Sequence, residues 1–316
     1  MPNLAAPPQT IPDLVLVNPA AGGGRALEVL PSLRQFAGRR GWLVEFRLTD
    51  SSQELASEAR KGAAEGRTRI FVLGGDGTFQ VLLNALAGVS DVVLGVIPAG
   101  GGNDLAAALG LPQDPLLAAE LLLDGQPVFL DAALVRTADG TERLYTGGGG
   151  VGLDAEAARY AGGVYRNLRG RLRYLLSAVS ALIGFHPIRV SALIDADPPV
   201  EINANVLLLG VLNTPSYGAG LRLAPDAQTD DGKLDLVLLE DLRFLQVLAL
   251  IPSLAHRGEL RTARVRRFRV DRVRIETHRT CSFHGDGEIL GNTPVEVEVV
   301  PRAVRILRPR SPHATR

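Results

Sequence analysis

Three glycine-rich turns, each set between an apolar run and a helical pattern, constrain this chain more than any other feature. They are Asn18-Pro19-Ala20-Ala21-Gly22-Gly23-Gly24, Gly74-Gly75-Asp76-Gly77-Thr78 and Pro98-Ala99-Gly100-Gly101-Gly102-Asn103-Asp104. The runs leading into them, Asp13–Asn18, Arg69–Leu73 and Val92–Ile97, read as strands, and Leu43–Leu48 reads as a fourth. Helical spacing follows over Arg25–Arg40, with Leu27, Leu30, Leu33 and Phe36 on one stripe. Further helices are predicted over Ser52–Glu65, capped by Ser51 or Ser52, over Thr78–Ala87, and from about Asn103. Strands alternating with helices predict a three-layer α/β domain built on a parallel sheet. In such a sheet ligands gather at the carboxyl ends of the strands, where all three turns fall. Glycine there lets backbone N–H groups approach phosphate with no Cβ in the way, and a helix starting just behind adds its positive dipole end. One such turn is weak as a signal; three in one sheet point to a phosphate-rich ligand.

The pattern changes after about Asp131. Ile188–Asp195, Glu201–Val211, Leu234–Leu239, Val265–Glu276, Thr280–His284 and Val295–Val300 read as strands separated by turn residues, which predicts a mostly antiparallel β-sandwich. A helix over about Asn167–Phe185 interrupts them. The chain of 316 residues is long enough for two cores, and 46% hydrophobic with 22% charged residues excludes a disordered or fibrous protein. We therefore expect a nucleotide-binding α/β domain over residues 1–132, a β-rich substrate domain over 133–300, and a C-terminal segment, 301–316, ending in a frayed tail from Pro309.

Net charge is zero but uneven: from His256 onward there are fourteen arginines against seven acidic residues. This basic part suits an anionic partner, such as a phosphate or a membrane surface, or else solvated strand faces. Arg264–Arg274 alone holds six arginines, yet their alternation with Val265, Phe268, Val270 and Val273 describes one wet strand face and argues against nucleic acid. Arg166, Arg169, Arg171 and Arg173 open the Asn167–Phe185 helix, whose stripe is Leu168, Leu172, Leu175, Leu176, Val179, Leu182 and Ile183. Cations at a helix start oppose its dipole, which fits docking to anionic headgroups or simple solvation over a core helix. The lone Cys281 can form no internal disulfide, as in a reducing cytoplasm. Met1–Pro12 has no signal-peptide pattern, and no run reaches the roughly 20 apolar residues of a spanning helix. The five histidines show no metal-ligand spacing; His284, two residues before Asp286, is placed near the cleft without a role.

The Walker sequence G-x-x-x-x-G-K-[ST] is absent. Instead, Gly74-Gly75-Asp76-Gly77-Thr78 resembles the signature of the diacylglycerol kinase catalytic domain, shared in related form by NAD kinases and phosphofructokinases. Asn18-Pro19-x-x-Gly22, Pro98-x-Gly100-x-x-Asn103-Asp104 and Asp286-Gly287-Glu288 narrow the resemblance to diacylglycerol-kinase-like lipid kinases, including the bacterial soluble branch. The resemblance implies that Asn18, Pro19, Ala20, Ala21 and Gly22, Thr49, Gly74, Gly75, Gly77 and Thr78, and Gly101, Asn103 and Asp104 hold ATP. Asp76 would lie beside the phosphates and help position Mg²⁺. With no lysine in the turns, Mg²⁺, backbone donors and Arg25 would meet the triphosphate charge. Glu288 matches the family's general base. A lipid hydroxyl is a poor nucleophile, and a carboxylate that titrates near ~4.3 is ready to take its proton at neutral pH. Asp286-Gly287 also reads as an ordinary hairpin turn. Gln228-Thr-Asp230-Asp231-Gly232-Lys233 is similar to that branch's structural Mg²⁺ loop, which would use the Asp231 carboxylate and the carbonyls of Gln228 and Lys233; it too reads as an Asp-Gly turn. The implied partner is a lipid such as diacylglycerol, met at the inner face of the membrane by a cytoplasmic, peripherally associated enzyme, with room for a homodimer.

Three departures stand out. Gly101 replaces a common threonine, and Gln80 and Val81 replace a common Asn-Glu, although Asn84 follows one turn later. Gly147-x-Gly149-x-x-Gly152 has the dinucleotide spacing, but the stretch about twenty residues on, Arg166–Arg173, has no acid, so it reads as a flexible glycine wall at the domain junction. Two rival functions remain at this level: a kinase of a soluble acceptor in the manner of NAD kinase, and a catalytically weak nucleotide-binding regulator, which Gly101 favours.

Overall fold

The computed structural model describes residues 11–165, 170–183, 185–216, 220–240 and 264–310, without the side chains of 170–175. The Pro-rich start, Arg166, Leu168 and Arg169, the side chains of Arg171, Leu172, Arg173 and Leu175, His256, and the tail beyond Arg310 lie outside the described residues.

The first strand, β1 (Asp13–Val17), is buried along its whole length, as a central strand covered on both faces must be. A 3-10 turn at Ala21–Gly23 leads into α1 (Arg25–Arg40), which buries Leu30, Leu33 and Phe36. Leu27, expected on the same stripe, is 43% exposed: it sits in the first turn, off the buried arc. β2 (Val44–Leu48) is followed by α2 (Ser52–Ala64), where Ser51 Oγ accepts the Glu54 N–H and the Glu54 carboxylate accepts the Asp50 N–H. Next come β3 (Arg69–Gly74), α3 (Asp76–Ala85) and β4 (Val93–Pro98). The helix expected from Asn103 is only five residues long, α4 (Asp104–Ala108), and a further helix, α5 (Pro115–Leu123), starts behind Asp114 as cap. The strands pair in parallel in the order β2-β1-β3-β4. Side chains such as Leu14, Leu16, Leu33 and Leu82 are fully buried between sheet and helices, each contributing about 1.5–3 kcal/mol.

The second half contains β5 (Gln126–Thr137), β6 (Glu142–Tyr145), β7 (Gly148–Gly152), α6 (Leu153–Gly162), α7 (Gly170–Leu182), β8 (Ile188–Ile194), β9 (Val200–Leu212) and β10 (Leu234–Glu240). β11 (Val265–Val270), β12 (Arg272–Thr277), β13 (Ser282–Gly285), β14 (Glu288–Asn292) and β15 (Val295–Arg308) complete it. The strands of this half pair with one another antiparallel. β9 carries it from one layer to the other: its first part pairs β8, and its last part lies between β7 and β10. The run Val265–Glu276, expected as one strand, breaks at Asp271, because β11 pairs β10 whereas β12 pairs β8 and β15. Its arginines meet carboxylates: Arg266 faces Glu240, Arg272 faces Glu298 and Arg274 faces Glu276.

The expected boundary at residue 300 falls inside a strand. β15 pairs β12 through Val295–Glu298, then pairs β4 in parallel through Arg305 and Ile306, while β5 runs antiparallel beside it along almost its full length. The register shifts between Val300 and Val304, where Arg302 adopts a positive φ of 52° and its N–H donates to Asp131 Oδ1 at 2.7 Å. The alternating pattern of Val295–Val300 hid this continuation, since Pro301 and Arg302 read as a strand end.

Candidate active site

All three glycine turns meet. A Cβ on Gly22 would lie 2.1 Å from the Ala99 carbonyl oxygen, and one on Gly100 would lie 2.5 Å from the Gly75 Cα. Turn one therefore rests on turn three, and turn three on turn two, with no side chains between the backbones. Asn18 Nδ2 donates to Thr78 Oγ1 at 2.9 Å, which ties turn one to turn two, and Asn18 Oδ1 accepts the Ala20 N–H. Thr49 is buried at the end of β2, where its hydroxyl donates to the Val17 carbonyl. Asn103 sits at φ 60° and closes its own turn: Oδ1 accepts the Gly100 N–H at 2.9 Å, and Nδ2 donates to the Gly100 carbonyl and to Gln113 Oε1. Arg25, expected to face a triphosphate, donates to the Gln113 carbonyl. Much of the expected binding set thus shapes the turns, and Gly101 and Gly102 remain partly open at the rim.

Asp76 opens α3, and its two oxygens accept the N–H groups of Asp104 and Leu105 at 3.2 and 3.0 Å. It therefore caps α4, whose own cap position, Asn103, is turned away in the left-handed region. Asp104 Oδ1 accepts from Ser216 Oγ at 3.1 Å and from the Gly220 N–H at 2.9 Å, which joins the second half of the chain to the third turn. Burial first, then the charges of Asp104 and Asp286, push the Asp76 carboxyl up to about 7.

The opposite wall is the β13–β14 hairpin. Asp286 and Gly287 have φ 51° and 87°, the two positive values that a two-residue type I′ turn requires. The Asp286-Gly287 pair thus forms the hairpin turn that its sequence suggests, and Glu288 follows it at the start of β14. A Cβ on Gly77 would lie 3.3 Å from Glu288 Oε1, so the carboxylate lies against the second glycine turn. Asp286 points the other way: its oxygens accept the N–H groups of Thr146, Gly147 and Gly148 at 3.0, 2.8 and 3.2 Å. Burial pushes it up to about 6, with those three donors and His284 opposing.

Two residues of α3 reach the second half of the chain, one at this hairpin and one at β6. Gln80 Nε2 donates to the Gly285 carbonyl at 3.1 Å, and Asn84 exchanges two hydrogen bonds with the Leu144 backbone, at 2.8 and 2.9 Å. Gln80, read from sequence only as a departure, and Asn84, read as following it one turn later, tie α3 to the second half of the chain. Their signal was their position one turn apart on the helix behind the second glycine turn. Of the Gly147–Gly152 run, Gly148–Gly152 is the fully buried strand β7, paired with β9 and β13, rather than a flexible wall.

The Asp231 loop does not suit a divalent cation as it stands. Asp231 Oδ1 accepts the Lys233 N–H, its other oxygen pairs with the Arg269 guanidinium, and the Lys233 ammonium meets Asp271 at 2.7 Å. The loop is also pinned by Asp131, which accepts the Gly232 N–H at 2.7 Å and donates its own N–H to the Thr229 carbonyl. Among the described residues, no group of three or more His, Cys, Asp or Glu is arranged to hold a metal ion.

Comparisons with known proteins agree with this architecture. Residues 12–135 match the diacylglycerol kinase catalytic domain, and residues 147–308 match the YegS C-terminal NAD kinase beta sandwich-like domain. A Mycobacterium tuberculosis diacylglycerol kinase is 30% identical over 296 residues, covering 93% of this chain and 94% of the relative. A Bacillus subtilis diacylglycerol kinase is 26% identical over 299 residues, covering 94% and 96%. In fold the chain is similar to a diacylglycerol kinase from Bacillus anthracis, with a TM-score of 0.69, 20% identity and coverage of 95% and 97%. It is also similar to yeast NADH kinase, with a TM-score of 0.51, 10% identity and coverage of 97% and 85%. With both halves matched in order and nearly the whole length covered, the chain belongs to the diacylglycerol kinase catalytic-domain family, among its YegS-like lipid kinases.

Proposed function

We propose that this chain transfers the γ-phosphate of ATP to the hydroxyl of a lipid such as diacylglycerol, at the membrane surface. The observation that carries the reading is Glu288 lying against Gly77, an acceptor-side carboxylate in contact with a phosphate-side turn. As the hydroxyl oxygen bonds to the γ-phosphorus, Glu288 takes its proton, and the bond to the β–γ bridging oxygen breaks to release ADP. The backbone of the three glycine turns would line the phosphates. Burial first, and then the charges of Asp104 and Asp286, raise the Asp76 carboxyl, and a cation there would relieve that repulsion. Mg²⁺ bound with nucleotide keeps waters and phosphate oxygens, so one or two carboxylates suffice, and Asp76 is the residue we assign to it. When bound, it would neutralise charge on the transferring phosphoryl group. Among the described residues no helix is long and apolar enough to cross a membrane.

The test is ATP consumption with Mg²⁺ over a panel of lipids in mixed micelles, with NAD as the soluble control. Phosphorylation of one lipid that is lost in Glu288→Gln supports the reading. Turnover on NAD alone would replace it with the soluble-acceptor reading, and ATP binding with no turnover on any acceptor would leave a nucleotide-binding regulator.

A further inference from the structure

The glycine strand β7 seats the catalytic hairpin at two points, and only one of them is the Asp286 carboxylate. At the other, a Cβ on Gly150 would lie 2.7 Å from Asp154 Oδ2, and a Cβ on Gly149 would lie 2.6 Å from the His284 carbonyl oxygen. The strand is bare where these groups cross it. Asp154 belongs to the first turn of α6, and its Oδ2 is 3.2 Å from His284 Nε2. Both side chains are buried, at 5% and 1% exposure. His284 is on β13, where it pairs Gly150 of β7 on one side and Ile289 of β14, the neighbour of Glu288, on the other. α6 packs on β7, β13 and β14 alike. An ionisable pair this deep is costly to bury unless its geometry is held, and nothing in the phosphoryl-transfer step uses it directly.

We propose that Asp154 and His284 form a positioning pair that sets where Glu288 stands relative to the phosphate turns, with α6 as the fixed support. The assignment rests on the kinase reading for its consequence in turnover. Its effect on the hairpin stands without that reading. Removing the pair leaves the hairpin turn intact but frees β13 to shift on β7, and a misplacement of about 1 Å at a reacting group costs on the order of 10²-fold in rate.

The experiment compares wild type with Asp154→Asn, His284→Gln and the double variant, in the lipid kinase assay and by amide hydrogen exchange of the β13–β14 hairpin. The expected result is a kcat lower by about 10- to 100-fold in each single variant, with the ATP dissociation constant within about twofold of wild type. The double variant should be no worse than the worse single one, because the two act as a unit. Hairpin amides should exchange at least about tenfold faster while those of β1 and β3 do not. Turnover within twofold of wild type in both single variants would overturn the proposal. So would parallel loss of turnover, ATP affinity and β1 protection, which would mean general destabilisation. If one variant fails to fold, the other decides. A wild-type protein silent on every acceptor would defeat the kinase reading. In that event faster exchange confined to the hairpin would still support the pair, and unchanged exchange would defeat it.

Discussion

Glu288 and Asp76 are both acidic and both adjoin the second glycine turn, yet their surroundings differ, and we assign them different work. Glu288 is exposed on its hairpin. Glu288→Gln keeps the size and shape of the side chain but removes the proton acceptor. We expect kcat to fall by about 10²- to 10⁴-fold with ATP affinity unchanged, checked by steady-state kinetics beside calorimetric ATP titration. Asp76 carries the opposite burden. Its folded pKa, about 7, lies above that of the unfolded chain, so between roughly pH 4 and 7 the folded state binds more protons. Stability without ligand should therefore decline as pH rises through this window, and Asp286, raised to about 6, acts in the same direction. The Asp76→Asn variant should show a shallower decline in Tm between pH 5 and 8, and a slope equal to wild type would remove Asp76 as its source. These two carboxylates were legible in the sequence because each sits in a short motif with a turn of defined geometry. His284, Gln80 and Asn84 were not, since their roles depend on which strand or backbone group faces them across the fold.

At the level of elements, the turns act by touching. An Ala at Gly100 would drive its methyl group into the Gly75 backbone, where nothing flexible can yield. We expect Gly100→Ala to weaken ATP binding by at least about tenfold, a cost of roughly 1.4 kcal/mol, while the far-UV circular dichroism remains native. Retained affinity would mean that turns two and three need not be in contact. The 228–233 loop has its own expected behaviour. Since Arg269 occupies the Asp231 carboxylate and Asp131 pins Gly232, a chelator should move Tm by no more than about 1 °C, far below what loss of a structural ion would produce. Most strands and helices could be read from apolar periodicity and turn residues. β5 could not, because it is buried on both faces over Leu130–Ala133 and shows no alternation there. The break at Asp271 was equally hidden, because the arginine–valine alternation persists on both sides while the partner strands change.

Across the whole molecule, β15 is shared by both halves: it pairs β4 of the first and β12 of the second, with β5 beside it along almost its full length. Asp131 fastens the crossing, holding the Arg302 N–H with one oxygen and the Gly232 N–H with the other. We expect thermal unfolding of the ligand-free protein to occur in a single transition by calorimetry, and two separated peaks would show that the halves are energetically independent. The order of the two halves was visible in sequence, but their sharing of strands was not, because pairing between residues as distant as Arg305 and Val93 leaves no local trace. The return of β15 also redraws where the first half ends. In sequence it stops near Asp131, but Arg305 and Ile306 from the far end of the chain pair β4 of its sheet. A recombinant exchange of acceptor halves between relatives therefore needs two crossover points, one near residue 131 and another near residue 301. A chimera made with the first alone would place a foreign strand between β4 and β5.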